Sequence, residues 1–119
     1  MRILIADDNK LVRRGIAGLL ATDQEFEICG EAGTATDTLE KACQLRPDAI
    51  LLDVSMPGGN GLETTRALRE KVPESKILII SQHDPKQLLP GALKAGAEDC
   101  VDKARLFLDL LPAVRRLRQ

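Results

Sequence analysis

Short runs of branched aliphatic residues alternate along this chain with segments of helical periodicity. The runs at residues 2–7, 49–53 and 76–81 have the length and the β-branched content of strands that are buried on both faces. Residues 26–31 form a weaker run, which we place at a sheet edge because Glu27 and Glu31 interrupt its apolar character. A short fifth strand is predicted near residues 99–101.

Amphipathic helices are predicted between these strands. Apolar residues recur at three- and four-residue spacing from residue 11 to residue 20, which gives the first helix one apolar stripe. The second helix is predicted over residues 35–45, with Leu39, Ala42 and Cys43 buried, and the third over residues 62–72. A helical region follows at residues 85–95. The last helix carries four apolar residues on one face: Leu110, Leu111, Val114 and Leu117.

This alternation indicates an α/β fold, with a parallel sheet covered by helices on both faces. Five strand–helix units account for the 119 residues, and right-handed crossovers favour an open, doubly wound sheet. A closed eight-stranded barrel needs about twice this length. The chain is therefore expected to form one domain, without a second independent core.

The composition excludes several classes of function for this chain. Its 17 basic and 18 acidic side chains give a net charge of -1, so the basic surface of a nucleic-acid-binding domain is missing. Phe26 and Phe107 are too few aromatic residues for a platform that stacks bases. No apolar run reaches the roughly 18 residues of a membrane span. Cys29, Cys43 and Cys100 lack metal-binding spacing and indicate a reduced, cytoplasmic protein.

Polar side chains follow the predicted strands at the edge where open α/β sheets bind ligands. Strand one ends in Asp7 and Asp8, strand three in Asp53 and strand four in Ser81, and Lys103 follows strand five. Carboxylates this close raise one another's pKa unless a cation offsets their repulsion. Oxygen ligands suit Mg²⁺, which readily shares its coordination with a phosphate. We therefore expect a magnesium and phosphate site at this edge.

A carboxylate can itself be the nucleophile and form an aspartyl phosphate. We assign this role to Asp53, which stands alone at the end of the central strand, with Asp7 and Asp8 as a metal-binding pair beside it. Lys103 and Ser81 would hold phosphoryl oxygens. Taken singly, these residues have simpler interpretations, such as helix caps, a turn residue, a strand end and a solvated charge. Five matched groups at one edge favour the site.

Over its whole length, the chain resembles the receiver domain of bacterial response regulators. The resemblance rests on five features at the strand ends. The paired acids are Asp7-Asp8, and the single acid Asp53 is followed by a loop with Met56-Pro57 and Asn60-Gly61. The hydroxyl is that of Ser81, and the last two features are the Gly96-Ala97 pair and Lys103. It implies one receiver domain over residues 1–119. It also implies the flavodoxin-like, three-layer fold of that family, with five parallel strands in the order 2-1-3-4-5.

The resemblance also implies a mechanism. Asp53 would accept a phosphoryl group from a sensor histidine kinase, and Mg²⁺ or another divalent cation would be bound by Asp7, Asp8, Asp53 and the backbone carbonyl of Ser55. The protein would be a phosphoacceptor with limited self-catalysed phosphorylation and dephosphorylation, not an enzyme.

The signal would leave the site through a second set of residues. By resemblance, Lys103 and the Ser81 hydroxyl bind the phosphoryl group. Movement of Ser81 then changes the surface formed by helix four, strand five and helix five, which we call the output face.

Other residues resemble the NarL/FixJ type of regulator: Ala104, the Arg13-Arg14 pair and the run at 81–84. That likeness implies a C-terminal DNA-binding output domain in the full-length protein, absent from this chain, and hence control of transcription. DNA would be contacted only through that domain. A homodimer on activation is a further possibility, and no membrane partner is expected.

Three residues depart from the family pattern, all on the output face. Cys100 stands where the family commonly has an aromatic ring or a histidine that moves on activation. Pro90 lies inside the expected fourth helix, so we predict that residues 85–89 are irregular and that the helix starts near Pro90. Pro112 lies in the fifth helix, and it would fall in the first turn if Asp109 were the N-cap. His83, the single histidine, is interpreted as structural.

Three other functions compete with this one. A pseudo-receiver or single-domain interaction module would act without phosphate, as Cys100 and Pro90 allow. A flavodoxin-like flavin protein is disfavoured because Asp7 and Asp8 would repel a phosphate and no ring is placed to flank a flavin. A haloacid-dehalogenase-type phosphatase would have an acid two residues after Asp53, where Ser55 stands.

Overall fold

Five parallel strands form one sheet in the computed structural model, which describes residues 1–58, 60–82 and 84–118. The strands are β1 (Arg2–Ala6), β2 (Glu27–Ala32), β3 (Ala49–Asp53), β4 (Lys76–Ser81) and β5 (Asp99–Asp102). Their order in the sheet is β2-β1-β3-β4-β5, and each neighbouring pair is parallel. The doubly wound, flavodoxin-like fold is therefore confirmed, with β2 at the predicted edge position.

A helix follows each strand. The helices are α1 (Lys10–Leu20), α2 (Ala35–Leu45), α3 (Gly61–Lys71), α4 (Pro85–Ala95) and α5 (Leu106–Leu117), and a short 3-10 helix spans Lys103–Arg105. A polar N-cap residue precedes each of the first four α-helices, and its side chain accepts a hydrogen bond from a backbone N–H of the first turn. The four N-cap residues are Asn9, Thr34, Asn60 and Asp84. These caps fix the points at which the chain leaves the strand ends and enters each helix. None of the helices that the structure describes is long and apolar enough to cross a membrane.

The core lies in two layers, one on each face of the sheet. Alternate residues of the central strands, such as Leu51 and Leu78, pack with α1 and α5, whereas Ile50 and Ile77 pack on the opposite face with α2, α3 and α4. Every residue of β3 is buried. This explains why the central strands appear in the sequence as continuous apolar runs.

The fourth helix corrects one expectation. It is continuous over Pro85–Ala95, so the prediction that residues 85–89 are irregular is wrong. Asp84 caps the first turn, Pro85 occupies the first helical position, and Gly96 ends the helix in the left-handed conformation with φ 112°. Pro90 and Lys86 are both exposed, so water can hydrate the carbonyl that proline leaves without its usual donor. The lost hydrogen bond is tolerated because both ends of the helix are well capped.

Two further side-chain placements differ from the simplest sequence interpretation. Helix α5 begins at Leu106, so Asp109 lies in its first turn and is not the N-cap, and Pro112 lies inside the helix on its exposed side.

On α2, Ala42 is buried as predicted, but Cys43 is exposed and Thr38 takes a buried position instead. Thr38 can be buried there because its hydroxyl donates to the Thr34 carbonyl at 2.7 Å.

Candidate functional site

Three carboxylates meet at the carboxyl ends of β1 and β3. Asp53 is the last residue of β3, and Asp7 directly follows β1, whose Ala6 pairs with Leu52. One oxygen each from Asp7, Asp8 and Asp53 lie within 4.8 Å of one another. Adjacent parallel strands thus bring together acids that are more than forty residues apart in the chain.

Asp7 is completely buried and is held by two groups. The backbone N–H of Asn9 donates to its Oδ1 at 2.8 Å, and its Oδ2 lies 2.9 Å from the Lys103 ammonium. Burial raises the pKa of Asp7, and the Asn9 N–H and the Lys103 charge offset only part of that effect. Asn9, not Asp7 or Asp8, caps α1, so the interpretation of the two acids as helix caps is wrong.

Asp53 is also buried, and both of its carboxylate oxygens have partners. Oδ1 accepts hydrogen bonds from the backbone N–H of Ser55 at 3.0 Å and from the Ser55 hydroxyl at 2.7 Å. Oδ2 accepts from the Lys103 ammonium at 3.2 Å. The contact with the Ser55 N–H is the turn that an aspartate commonly forms with the backbone two residues on, and it can be read from the sequence. The contact with the Ser55 hydroxyl has no such signal.

Lys103 lies between the two buried acids. Its side chain is 14% exposed, and its ammonium contacts both Asp7 and Asp53. Burial opposes the charged form, but the two carboxylates outweigh it, so the pKa of Lys103 is raised. The residue follows β5, where the Asp102 side chain caps the 3-10 helix by accepting from the Ala104 N–H. Lys103 is therefore not the solvated charge of the simpler interpretation.

Ser81 and Gln82 complete this edge of the sheet. Ser81 is buried at the end of β4, the neighbour of β3. Gln82 is exposed and helps to line an open cavity of about 630 Å³ above the acids, with Asp8, Asn9, Lys10, Ser55 and Lys103. The cavity leaves this edge of the sheet open to a ligand. His83 lies outside the described residues.

The carboxylates fit a divalent cation. Within the part of the chain that the structure describes, Asp7 Oδ2 is buried and lies 2.9 Å from the Lys103 ammonium, but this contact lacks the geometry of a hydrogen bond, so the oxygen keeps capacity to bind a metal ion. Asp8 is exposed at the cavity, and its carboxylate oxygen is within reach of those of the two buried acids. An all-oxygen set on one side of an open cavity suits Mg²⁺, which keeps several of its waters.

Cys100, the second residue of β5, does not line this cavity. It helps to line a second cavity of about 390 Å³, between α4, β5 and α5, whose other lining residues include Pro85 and Pro112. Burial, with a smaller contribution from Asp99, raises the pKa of the Cys100 thiol to about 11. We therefore expect the Cys100 thiol, which lies on the output face, to react slowly.

We expect the thiols to differ in their reaction with an alkylating reagent. At pH 8, a thiol with a pKa of about 11 is only about one part in a thousand thiolate, so Cys100 should be alkylated far more slowly than the exposed Cys43. Peptide mass spectrometry after timed exposure to iodoacetamide measures both rates. The urea-unfolded protein is the control, in which the two rates converge. Equal rates in the folded protein would contradict this assignment.

Comparison with known proteins places this geometry in a family. Residues 3–115 match the family model described as the response regulator receiver domain. The DNA-binding transcriptional activator DevR/DosR of Mycobacterium tuberculosis is 34% identical over 115 residues, which are 97% of this chain and 53% of that protein. The oxygen regulatory protein NreC of Staphylococcus epidermidis is 37% identical over 120 residues, covering 100% of this chain and 55% of that protein.

Solved structures give the same result. The RcsB response regulator of Salmonella typhimurium superimposes with a TM-score of 0.92 at 26% identity, over 99% of this chain and 59% of that chain. Another structure of RcsB is bound to a promoter in the presence of the phosphomimetic BeF3-. The present chain spans about half the length of the relatives it matches.

Proposed function

This chain belongs to the response regulator receiver domain family, with relatives of the NarL/FixJ type, and we propose that its Asp53 accepts a phosphoryl group from a sensor histidine kinase. One observation carries the proposal: the buried Asp53 and Asp7 share the ammonium of Lys103, which together with Asp8 and Ser55 lines an open cavity. A buried carboxylate with a cation beside it and an open approach is suited to nucleophilic attack.

In the transfer, a carboxylate oxygen of Asp53 forms a bond to phosphorus. The bond between phosphorus and the imidazole nitrogen of the kinase breaks, and the nitrogen keeps the electron pair. Lys103 faces the developing negative charge, and the Ser55 N–H and hydroxyl fix the orientation of Asp53 through Oδ1. The Ser81 hydroxyl and Lys103 then bind the phosphoryl oxygens.

The cation would be held by Asp7, Asp8, Asp53 and the backbone carbonyl of Ser55. When bound, Mg²⁺ supplies positive charge that offsets the carboxylates and the incoming phosphoryl oxygens. Support comes from the three carboxylate oxygens that converge and from the unaligned, buried Oδ2 of Asp7. Self-catalysis is limited to this transfer and to later hydrolysis of the acyl phosphate, in keeping with relatives that are signalling proteins and not classical enzymes.

Phosphorylation would act on an existing equilibrium between two conformations. Moving that equilibrium from mostly inactive to mostly active takes roughly 5.5 kcal/mol of differential interaction. In this chain the conformational change at the phosphorylation site has to reach the output face without an aromatic residue at position 100. We therefore propose that it passes through Ser81 and the connection from β4 to α4.

The full-length protein is proposed to join this receiver to a C-terminal DNA-binding domain and to control transcription. Relatives named as transcriptional regulators are about twice as long as this chain, and a structure of RcsB shows it bound to a promoter. A homodimer of the activated form would match a further RcsB structure that is described as dimers on DNA.

The test is phosphorylation with a small donor. Incubation with acetyl phosphate and Mg²⁺ is expected to add the mass of one phosphoryl group to the intact protein. The added mass should be absent after chelation of Mg²⁺ and in Asp53→Ala, and it should be retained in Asp37→Ala, which removes a carboxylate from the surface of α2. No added mass would favour a module that acts without phosphate, and an added mass that survives Asp53→Ala would overturn Asp53 as the phosphoryl acceptor.

A further inference from the structure

Arg13 on α1 connects its helix to the peptide bond that joins Asp7 and Asp8. Its Nη1 donates to the backbone carbonyl oxygen of Asp7 at 2.6 Å, and its Nε donates to the Glu31 carboxylate at 2.8 Å. We propose that Arg13 is a positioning residue for the Asp8 carboxylate and thereby sets the affinity of the site for Mg²⁺. The inference rests on the proposed function, because it concerns the same metal site.

The peptide that Arg13 holds lies where the regular structure stops. Beyond the end of β1, the Asp7 N–H still donates to the Ala32 carbonyl at 3.0 Å, as a continuation of the sheet. The Asp7 carbonyl, which belongs to the peptide bond that leads to Asp8, accepts from the Arg13 guanidinium. Hydrogen bonds thus hold the backbone on both sides of the Asp7 Cα: one at the N–H of the peptide that precedes Asp7, and one at the carbonyl of the peptide that leads to Asp8.

Asp8 depends on this peptide more than the other two acids do. Asp7 and Asp53 are buried, and their carboxylates are held by Asn9, Ser55 and Lys103. Within residues 1–58, 60–82 and 84–118, the Asp8 carboxylate has neither a hydrogen bond nor an ion pair of its own. Its direction is therefore set by the backbone from which it extends, and Arg13 is the side chain that holds that backbone.

Arg13 is itself well placed to act as a rigid support. Its side chain is 18% exposed, and the ion pair with Glu31 on β2 fixes the second arm of the guanidinium. The planar guanidinium presents several donors in a fixed geometry, which the single ammonium of lysine cannot reproduce. One side chain thus ties α1, the end of β1 and β2 into a single frame around the metal site.

Positioning and simple electrostatics predict effects of opposite sign. If Arg13 acted only as a nearby positive charge, removing it would strengthen the binding of a cation. If it positions Asp8, removing it weakens binding, because loss of a supporting contact around a metal site typically costs 10–100-fold in affinity. Arg14, the exposed neighbour on the same helix, provides a control with the same change of charge.

The experiment is calorimetric titration of Mg²⁺, without any phosphodonor, into the wild-type protein and into Arg13→Gln, Arg13→Lys and Arg14→Gln. Both Arg13 variants are expected to bind Mg²⁺ about 10-fold more weakly than the wild type. Arg14→Gln should stay within about twofold, on the side of tighter binding, because it changes only the charge. Circular dichroism melts of each variant identify any that is not folded at the titration temperature.

The outcomes separate the possibilities. Wild-type affinity or tighter binding in Arg13→Gln overturns the inference, as does a lower melting temperature with unchanged affinity, since that result marks a purely structural role. If Arg13→Gln does not fold, Arg13→Lys, which keeps the charge but not the fork, decides by the same criterion. A wild-type protein that binds no Mg²⁺ overturns the proposed function as well, whereas wild-type binding with unchanged variants overturns the inference alone.

Discussion

Lys103→Met is expected to lower the free energy of unfolding by about 3 kcal/mol in the absence of divalent cations, because removing one partner of a buried ion pair leaves its charge uncompensated. Here the loss leaves two buried carboxylates, Asp7 and Asp53, without the ammonium they share. Urea unfolding followed by circular dichroism measures the change, since the chain has no Trp or Tyr for fluorescence. Mg²⁺ should restore part of the loss by supplying another positive charge.

The difference in stability between Lys103→Met and the wild type should depend on pH, because the pKa values of Lys103 and Asp7 are both raised in the folded wild-type protein. Because the pKa of Lys103 is raised on folding, its contribution is complete below its ordinary value near 10.5 and is lost as the pH rises through the folded value. Because the pKa of Asp7 is also raised, Asp7 becomes neutral on acidification sooner than an ordinary aspartate. The difference between Lys103→Met and the wild type should therefore shrink in mild acid and persist at neutral pH.

Two variants control this prediction. Lys94→Met removes an exposed lysine from α4 and should change the unfolding free energy by no more than about 0.5 kcal/mol. Adding Asp53→Asn to Lys103→Met should recover much of the lost stability, because only Asp7 then remains as a buried charge. A loss in Lys103→Met no larger than that of Lys94→Met would show that the ammonium does not stabilise the apo site.

Gly61→Ala is expected to destabilise the fold by about 3 kcal/mol, at the upper end of the range for overpacking. A Cβ atom at Gly61 would lie 2.5 Å from Val54 Cα and 2.6 Å from the Val54 carbonyl oxygen. These are backbone atoms and cannot rotate away, so the start of α3 or the end of β3 has to move. Val54 directly follows Asp53, and the same variant should therefore be phosphorylated more slowly.

The same substitution at Gly18 should have the opposite sign. Gly18 is exposed on α1, and nothing lies within 4 Å of the position that its Cβ would take. Replacing glycine by alanine inside a helix then stabilises by about 0.5–1 kcal/mol. Urea unfolding of both variants provides the comparison. Wild-type stability of Gly61→Ala would contradict this prediction. It would mean that the backbone between β3 and α3 can move enough to separate residue 61 from Val54 at little cost in free energy.

The strands and most helix positions could be predicted because the core of this fold is simple. Residues 49–53 and 76–81 are buried on both faces, so their strand bounds coincide with uninterrupted apolar runs. The edge position of β2 was also predictable, since Glu27 and Glu31 need exposure to water and only an edge strand provides it. Periodicity was a poorer guide on α2, where Thr38 satisfies its own hydroxyl and is buried, while Cys43 is left exposed.

The continuity of α4 could not be predicted from Pro90 alone. The cost of a helical proline depends on whether water reaches the freed carbonyl and on how firmly the two ends are capped, and both depend on the tertiary structure. Strand-end positions were sufficient to predict that Asp7, Asp53 and Lys103 meet. The strand ends gave no indication of two other contacts. The hydrogen bond from the Ser55 hydroxyl to Asp53 depends on the geometry of the turn after β3, and the one from Arg13 to the Asp7 carbonyl depends on the position of its side chain on α1.

The way α4 is attached has a consequence for its dynamics. This helix is fixed at its ends by Asp84 and Gly96, but its buried residues are only Ala92 and Ala95, and Pro90 removes one hydrogen bond from its middle. Elements that bury little apolar surface open locally at a small free energy, well below that of global unfolding. The amide protons of α4 should therefore exchange with solvent earlier than those of β3 and β4. The output face thus contains a segment that can rearrange while the sheet beneath it stays folded.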